Sequence, residues 1–133
     1  DHRVEIRGWV ADNDLDTALA ACDIGILSWS NSDLYEYGTS ANKVARYLAA
    51  GLPVLQVILG GADFLDDNGI GASVNPADEE ALVSALETLV SDLTGQESVA
   101  IRDRCIKFAG DYFSASRVGE SLYASLASLA RDR

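Results

Sequence analysis

An α/β fold built on a doubly wound parallel sheet is what this sequence predicts, and three features predict it. The stretches Asp23-Ile-Gly-Ile-Leu-Ser-Trp29 and Val54-Leu-Gln-Val-Ile-Leu59 are short and nearly all apolar, as strands buried on both faces are. Segments with apolar residues three and four apart alternate with them, which places helices over both faces of the sheet. No repeat or low-complexity segment interrupts the pattern.

Each element has a local reason. Val4 to Ile6 reads as a first strand ended by Gly8, with so little sequence ahead of it that earlier sequence is expected to belong to the same fold. Asp12-Asn-Asp-Leu-Asp16 supplies capping and first-turn carboxylates for a helix running to about Cys22. After the strand at 23–29, residues 30–39 are a polar loop. Ser40 is placed to cap a helix carrying Val44, Tyr47 and Leu48, which Gly51 and Pro53 stop. Val54 to Leu59 is the next strand, and Gly60-Gly61 turns into a short acidic helix, Ala62 to Asp67. Gly69-Ile-Gly71 leads to a short strand, Ala72 to Val74, and Asp78-Glu-Glu80 opens a long helix to about Asp92. Two further helices are expected at Glu97 to Phe113 and, led by Ser114, at Ser116 to Ala130. Ligands of such sheets bind beyond the carboxyl ends of the strands, so the loops to inspect are 30–39, 60–61 and 75–77.

Composition narrows the function. The 133 residues are 48% hydrophobic and hold 21 Asp+Glu against 10 Lys+Arg, a formal charge of −11, which opposes nucleic acid and anionic lipid as main partners. Membrane spanning takes roughly 20 consecutive apolar residues, and the run Pro53 to Leu59 is far shorter and broken by Gln56. The chain opens with charged residues and no apolar leader segment, so a cytoplasmic location is expected. Cys22 and Cys105 are too few and too far apart for a disulfide framework or a metal site, and both lie on apolar helical stripes, so both are expected as buried, reduced thiols. His2, at the terminus, is expected to be solvated and no metal ligand.

The basic residues are distributed more tellingly than their number suggests. From Gly8 to Ile101 there are fifteen acidic side chains and two basic ones, Lys43 and Arg46. They lie three apart on one helix, in the turns that follow Gly38-Thr-Ser40, where free backbone N–H groups and the helix dipole favour an anion. The alternative is a pair of solvated cations that offset Glu36 or Asp33. Gly38-Thr-Ser-Ala-Asn-Lys43 is no phosphate-binding P-loop, and Gly69-Ile-Gly71 lacks the third glycine of a dinucleotide fingerprint and precedes a strand, so nicotinamide and flavin cofactors are disfavoured.

The block Ser40-Ala-Asn-Lys-Val-Ala-Arg-Tyr-Leu-Ala-Ala-Gly-Leu-Pro-Val54 resembles the nucleotide-sugar-binding segment of glycosyltransferases with the GT-B fold. Val4-Glu-Ile-Arg-Gly-Trp-Val10, Ala20-Ala-Cys-Asp-Ile-Gly-Ile26 and Gly69-Ile-Gly-Ala-Ser-Val-Asn-Pro76 are similar to the segments around it, in the same order and spacing. Many retaining members carry a Glu-x7-Glu pair whose second Glu holds the ribose; here Gly38 and Arg46 stand at those positions. Tyr35-Glu-Tyr-Gly-Thr-Ser-Ala-Asn-Lys43 is similar to the corresponding segment of the adhesin glucosyltransferase and galactofuranosyltransferase-like branch, matching at Lys43 with Tyr37 one residue early.

The resemblance implies a Rossmann-like carboxy-terminal domain, residues 1–133, that forms the donor-binding part of a two-domain enzyme whose acceptor domain, and whose first strand and helix of this domain, lie elsewhere. It implies transfer of a hexose from a nucleotide-diphosphate sugar, such as a UDP-sugar, to a glycan or glycoprotein, without metal or other cofactor. Lys43 would contact the diphosphate, with Thr39, Ser40 and the amides from Gly38 to Asn42 cradling it. Tyr37 would pack against nucleotide or sugar, and Arg46 would reach a phosphate or the ribose. The isolated 133 residues would be inactive. A non-catalytic relative serving as partner or chaperone subunit is the alternative, and a homo-oligomer remains open. A third class, a plain α/β binding module of flavodoxin-like or receiver-like kind, fits the acidic balance, but a receiver needs an acidic cluster at the end of its first strand and Val4-Glu-Ile-Arg-Gly8 lacks one. In GT-B relatives the final helix crosses to the other domain, so Val118, Leu122, Leu126 and Leu129 are expected to form an exposed stripe.

Overall fold

The parallel sheet follows from segments too apolar to face water and too far apart in sequence to pair as hairpins. In the computed structural model, which describes residues 4–29, 42–59 and 64–131, the elements are α1 (Asp12–Ala20), β1 (Gly25–Ser28), α2 (Asn42–Ala49), β2 (Val54–Val57), α3 (Phe64–Asp67), β3 (Gly71–Val74), α4 (Glu79–Thr94), α5 (Ser98–Phe113) and α6 (Ala115–Arg131). The three strands are parallel in the order β1-β2-β3. Gly25 aligns with Val54 and Val54 with Gly71, so the carboxyl ends of all three strands lie along one edge.

Side-chain alternation along β2 divides the core in two. Val54 packs with Leu27, Val44, Leu48, Leu65, Ile70 and Cys105 under α2, α3 and α5. Leu55 packs with Val74, Leu89 and Ile101 under α4. The predicted helices on both faces of the sheet are therefore present. Gln56, between these apolar neighbours, is the buried polar side chain of the described core, 2% exposed.

Two glycines set the geometry between elements. Gly51, at φ +76°, ends α2: its N–H donates to Leu48 O at 2.9 Å and the N–H of Leu52 to Tyr47 O at 2.9 Å, the paired bonds of a Schellman stop. Gly71 lies so close to β2 that a Cβ there would collide with the carbonyl oxygen of Val54. The open edge of β3 is covered by a side chain, because Asp66 Oδ2 accepts the Ser73 N–H at 3.1 Å. Further ties come from α5: Arg102 pairs with Asp23 at 2.8 Å, Arg104 Nε donates to Gly69 O at 3.1 Å, and Phe108 stacks on Phe64 of α3 at 5.6 Å.

Two expectations need correction. Residues 4–10 form no strand, and Ile6 and Trp9 are 92% and 86% exposed; among the described residues β1 pairs with β2 alone, leaving no neighbour for Val4 to Ile6. Cys22 is exposed, because α1 ends at Ala20 and buries Leu19 alone, and the thiol donates to Ala18 O at 3.4 Å. At the start of α4 Asp78 caps as expected, its side chain accepting from the Ala81 N–H, and Ser114 Oγ, before α6, lies 3.3 Å from Ser116 Oγ. Cys105 is buried as expected, and burial pushes its thiol up to about 11 against the opposing pull of Arg104 and Arg102. Val118, Leu122, Leu126 and Leu129 on α6 are each more than half exposed, as the stripe predicted. No helix among the described residues is long and apolar enough to cross a membrane. The position of His2 lies outside the described residues.

Candidate functional site

Helices joined to parallel strands by short loops present their N-termini at the carboxyl edge of the sheet, where unpaired N–H groups and the positive dipole end attract anions. Acidic residues in the first turn use that potential themselves. Here α1 begins with Asp12 and Asp14, α3 carries Asp66 and Asp67, and α4 begins with Glu79 and Glu80. By contrast α2, following β1, has no acidic residue in its first turn and carries Lys43 there.

Burial of Val44 and Leu48 fixes the orientation of α2 and leaves Asn42, Lys43 and Arg46 exposed. The two cations differ in their neighbours. Arg46 Nη1 lies 3.5 Å from Asp12 Oδ1, a link between the second turn of α2 and the first turn of α1. Lys43 is in no ion pair among the described residues. The offsetting carboxylate for Arg46 is thus Asp12, 34 residues upstream, a pairing that sequence spacing does not reveal. Tyr37, Gly38, Thr39 and Ser40 lie outside the described residues, and so does the loop at 60–61.

The third loop is built differently. Asn75 Oδ1 accepts the Ala77 N–H at 2.9 Å, and Asp78 Oδ1 accepts the Ala81 N–H at 2.9 Å. These carboxylate and amide oxygens already occupy the donors that an anion would need, and Glu79 and Glu80 line the shallow cleft beside them. The acidic side chains there repel a phosphate. Sequence reasoning named the loop at 75–77 as a candidate and missed this difference, although the Asp78-Glu-Glu80 run carries the signal.

Residues 1–92 match the family described as Glycosyl transferases group 1. The chain belongs to this family. No curated protein and no solved structure matches it. The matched span includes all three strands and the α2 segment with Lys43 and Arg46. The open parallel sheet with helices is consistent with part of a Rossmann-like domain of a GT-B type glycosyltransferase.

Proposed function

We propose that this chain is the donor-binding part of a two-domain glycosyltransferase that uses a nucleoside-diphosphate hexose, with α2 receiving the diphosphate. The observation that carries this reading is the charge pattern at the sheet edge: acid-free α2 with Lys43, beside acid-led α1, α3 and α4. In the reaction the bond from the anomeric carbon to the diphosphate oxygen breaks, an acceptor hydroxyl oxygen bonds to that carbon, its proton passes to a base, and the nucleoside diphosphate leaves. Negative charge grows on the leaving diphosphate, so preplaced donors there lower the barrier. Lys43 and the N–H groups at the start of α2 supply them, with Thr39, Ser40 and the amides from Gly38 to Asn42, and no metal is required. Tyr37 packs on nucleotide or sugar, and Arg46 reaches phosphate or ribose.

Uridine is the nucleotide we favour, following the resemblance of Tyr35 to Lys43 to the adhesin glucosyltransferase and galactofuranosyltransferase-like branch, with a glycan or glycoprotein acceptor and a cytoplasmic site of action. The acceptor site and the base belong to another domain. Among the described residues β1 pairs with β2 alone and Ile26 is 56% exposed, which supports continuation of the sheet by a further strand. The 133 residues alone are then inactive. One observation favours a second reading, a non-catalytic partner subunit: Arg46 stands where many retaining members carry the ribose-holding Glu, and it is paired with Asp12.

Calorimetric titration of the two-domain protein with a panel of nucleotide sugars, followed by assay of turnover, tests both readings. Binding with sugar release or transfer supports the enzyme, and binding without turnover on any acceptor supports the partner subunit. If no nucleoside diphosphate or nucleotide sugar binds, the donor-site reading is wrong.

A further inference from the structure

A single extended residue, Ser114 at φ −67° and ψ 144°, joins α5 to α6, and beside this junction side chains of both helices line an open cleft of about 720 Å³. Sites for small ligands hold about 300–1,000 Å³. The cleft lies beyond residues 1–92, the span the family match covers, and no residue of α2 lines it. One of its walls is aromatic. Phe64, Phe108 and Tyr112 form a ladder of stacked rings with centroids 5.6 and 4.3 Å apart, and Phe113 meets Phe108 edge-on at 5.9 Å. Phe108 covers one face of Tyr112, yet Tyr112 is 62% exposed, so the opposite face of the ring is open.

The polar groups around this ring are held in place by their neighbours. Lys107 pairs with Asp111, Arg117 pairs with Glu120 at 3.2 Å, and Arg117 Nε donates to the backbone oxygen of Asp111 at 3.2 Å. Two cations thus balance two carboxylates beside the ring. A phosphate finds no excess of positive charge in such a lining, and a wholly apolar partner would desolvate the paired charges without replacing their contacts with water. The lining instead suits an uncharged molecule with one apolar face for the ring and a rim of groups that both donate and accept. A pyranose is built that way, with C–H bonds on its face and hydroxyls at its rim. We infer that the cleft between α5 and α6 is a glycan-binding site, in which a pyranose stacks on the open face of Tyr112 and its hydroxyls pair with Asp111, Arg117 and Glu120. The site holds a sugar chain without touching reacting atoms, and it stands apart from the donor-site reading of α2.

Saturation-transfer NMR and calorimetry of the two-domain protein with maltohexaose, cellohexaose and the hexamer of N-acetylglucosamine test this, with uridine diphosphate titrated in parallel. At least one hexasaccharide is expected to bind, and Tyr112→Ala should weaken it about tenfold or more by removing the ring platform. Tyr112→Phe keeps the ring and should change that affinity by less than about threefold, while Arg117→Met, which removes a fixed donor, should weaken it about threefold or more. Because Tyr112 and Arg117 are largely exposed, these variants should keep the wild-type Tm. Neither Tyr112 variant should alter uridine diphosphate affinity, and Lys43→Ala should leave the hexasaccharide affinity as it is. No binding of any of the three hexasaccharides, or equal affinity in wild type and Tyr112→Ala, overturns the inference. So does a shift in oligomeric state of Tyr112→Ala by analytical ultracentrifugation without sugar binding, which would make the cleft a protein interface. A Lys43→Ala variant with unchanged uridine diphosphate affinity overturns the donor-site reading alone.

Discussion

α2 and α4 start at the same edge of one parallel sheet, α2 after β1 and α4 after β3, and they spend their N-termini differently. The first turn of α4 is closed by protein atoms: Asp78 accepts from Ala81 N–H, and Glu79 and Glu80 sit on the positive end of the dipole. α2 has no acidic residue in its first turn and Lys43 in place of one. The Asp78 cap contributes about 0.5–2 kcal/mol of stability to α4. With 8 residues against 16, α2 is held to the sheet by few side chains, chiefly Val44 and Leu48.

The largest expected effect breaks that anchoring. Leu48→Ala and Leu89→Ala remove fully or almost fully buried leucines from α2 and α4, and each should cost about 2–5 kcal/mol in denaturant unfolding. The folded fraction of the Leu48 variant should also lose diphosphate affinity, while that of the Leu89 variant keeps it. Equal losses of affinity would mean that the two edges act alike.

Cys105, packed under the α2 side of the sheet, gives a pH probe of the same core. Its thiol titrates near 11 in the folded chain against 9.0 for an unperturbed one. Between those values the unfolded chain has lost a proton that the folded chain keeps, so stability falls as pH rises from about 9 to 11. Chemical denaturation across that range should show the decline, and Cys105→Ala should flatten it. At neutral pH a thiol reagent should modify Cys22 promptly and Cys105 only on unfolding.

A smaller effect is expected at the cap of α4. Asp78→Ala should lower stability by about 1 kcal/mol, read as a shifted denaturation midpoint, with diphosphate affinity unchanged. A loss of affinity there would place the anion at the wrong helix.

The sequence carried the sheet and its helices well, because apolar runs and helical spacing report burial directly. It placed Asp78 as a start of α4 and Gly51 as the stop of α2, both of which act through neighbours a few residues away. It failed at Val4 to Ile6 and at Cys22, where local pattern needs a partner from elsewhere: a second strand in one case, a longer helix in the other. Lys43 was legible as an isolated cation among acids. The tie from Arg46 to Asp12 was not, since it is set by how distant segments meet.

On the proposed reading α2 takes the diphosphate through Lys43 and its acid-free first turn. Calorimetric titration of wild type, Lys43→Ala and Glu80→Ala with uridine diphosphate and with uridine, in the two-domain protein, tests it most directly. A charge-assisted contact contributes about 1.5–3 kcal/mol, so Lys43→Ala should weaken diphosphate binding about tenfold or more and leave uridine binding unchanged. Glu80→Ala should change diphosphate affinity by less than about twofold, as an exposed charge screened by salt does. Unchanged diphosphate affinity in Lys43→Ala, or a larger change in Glu80→Ala than in Lys43→Ala, would contradict the assignment of the anion to α2.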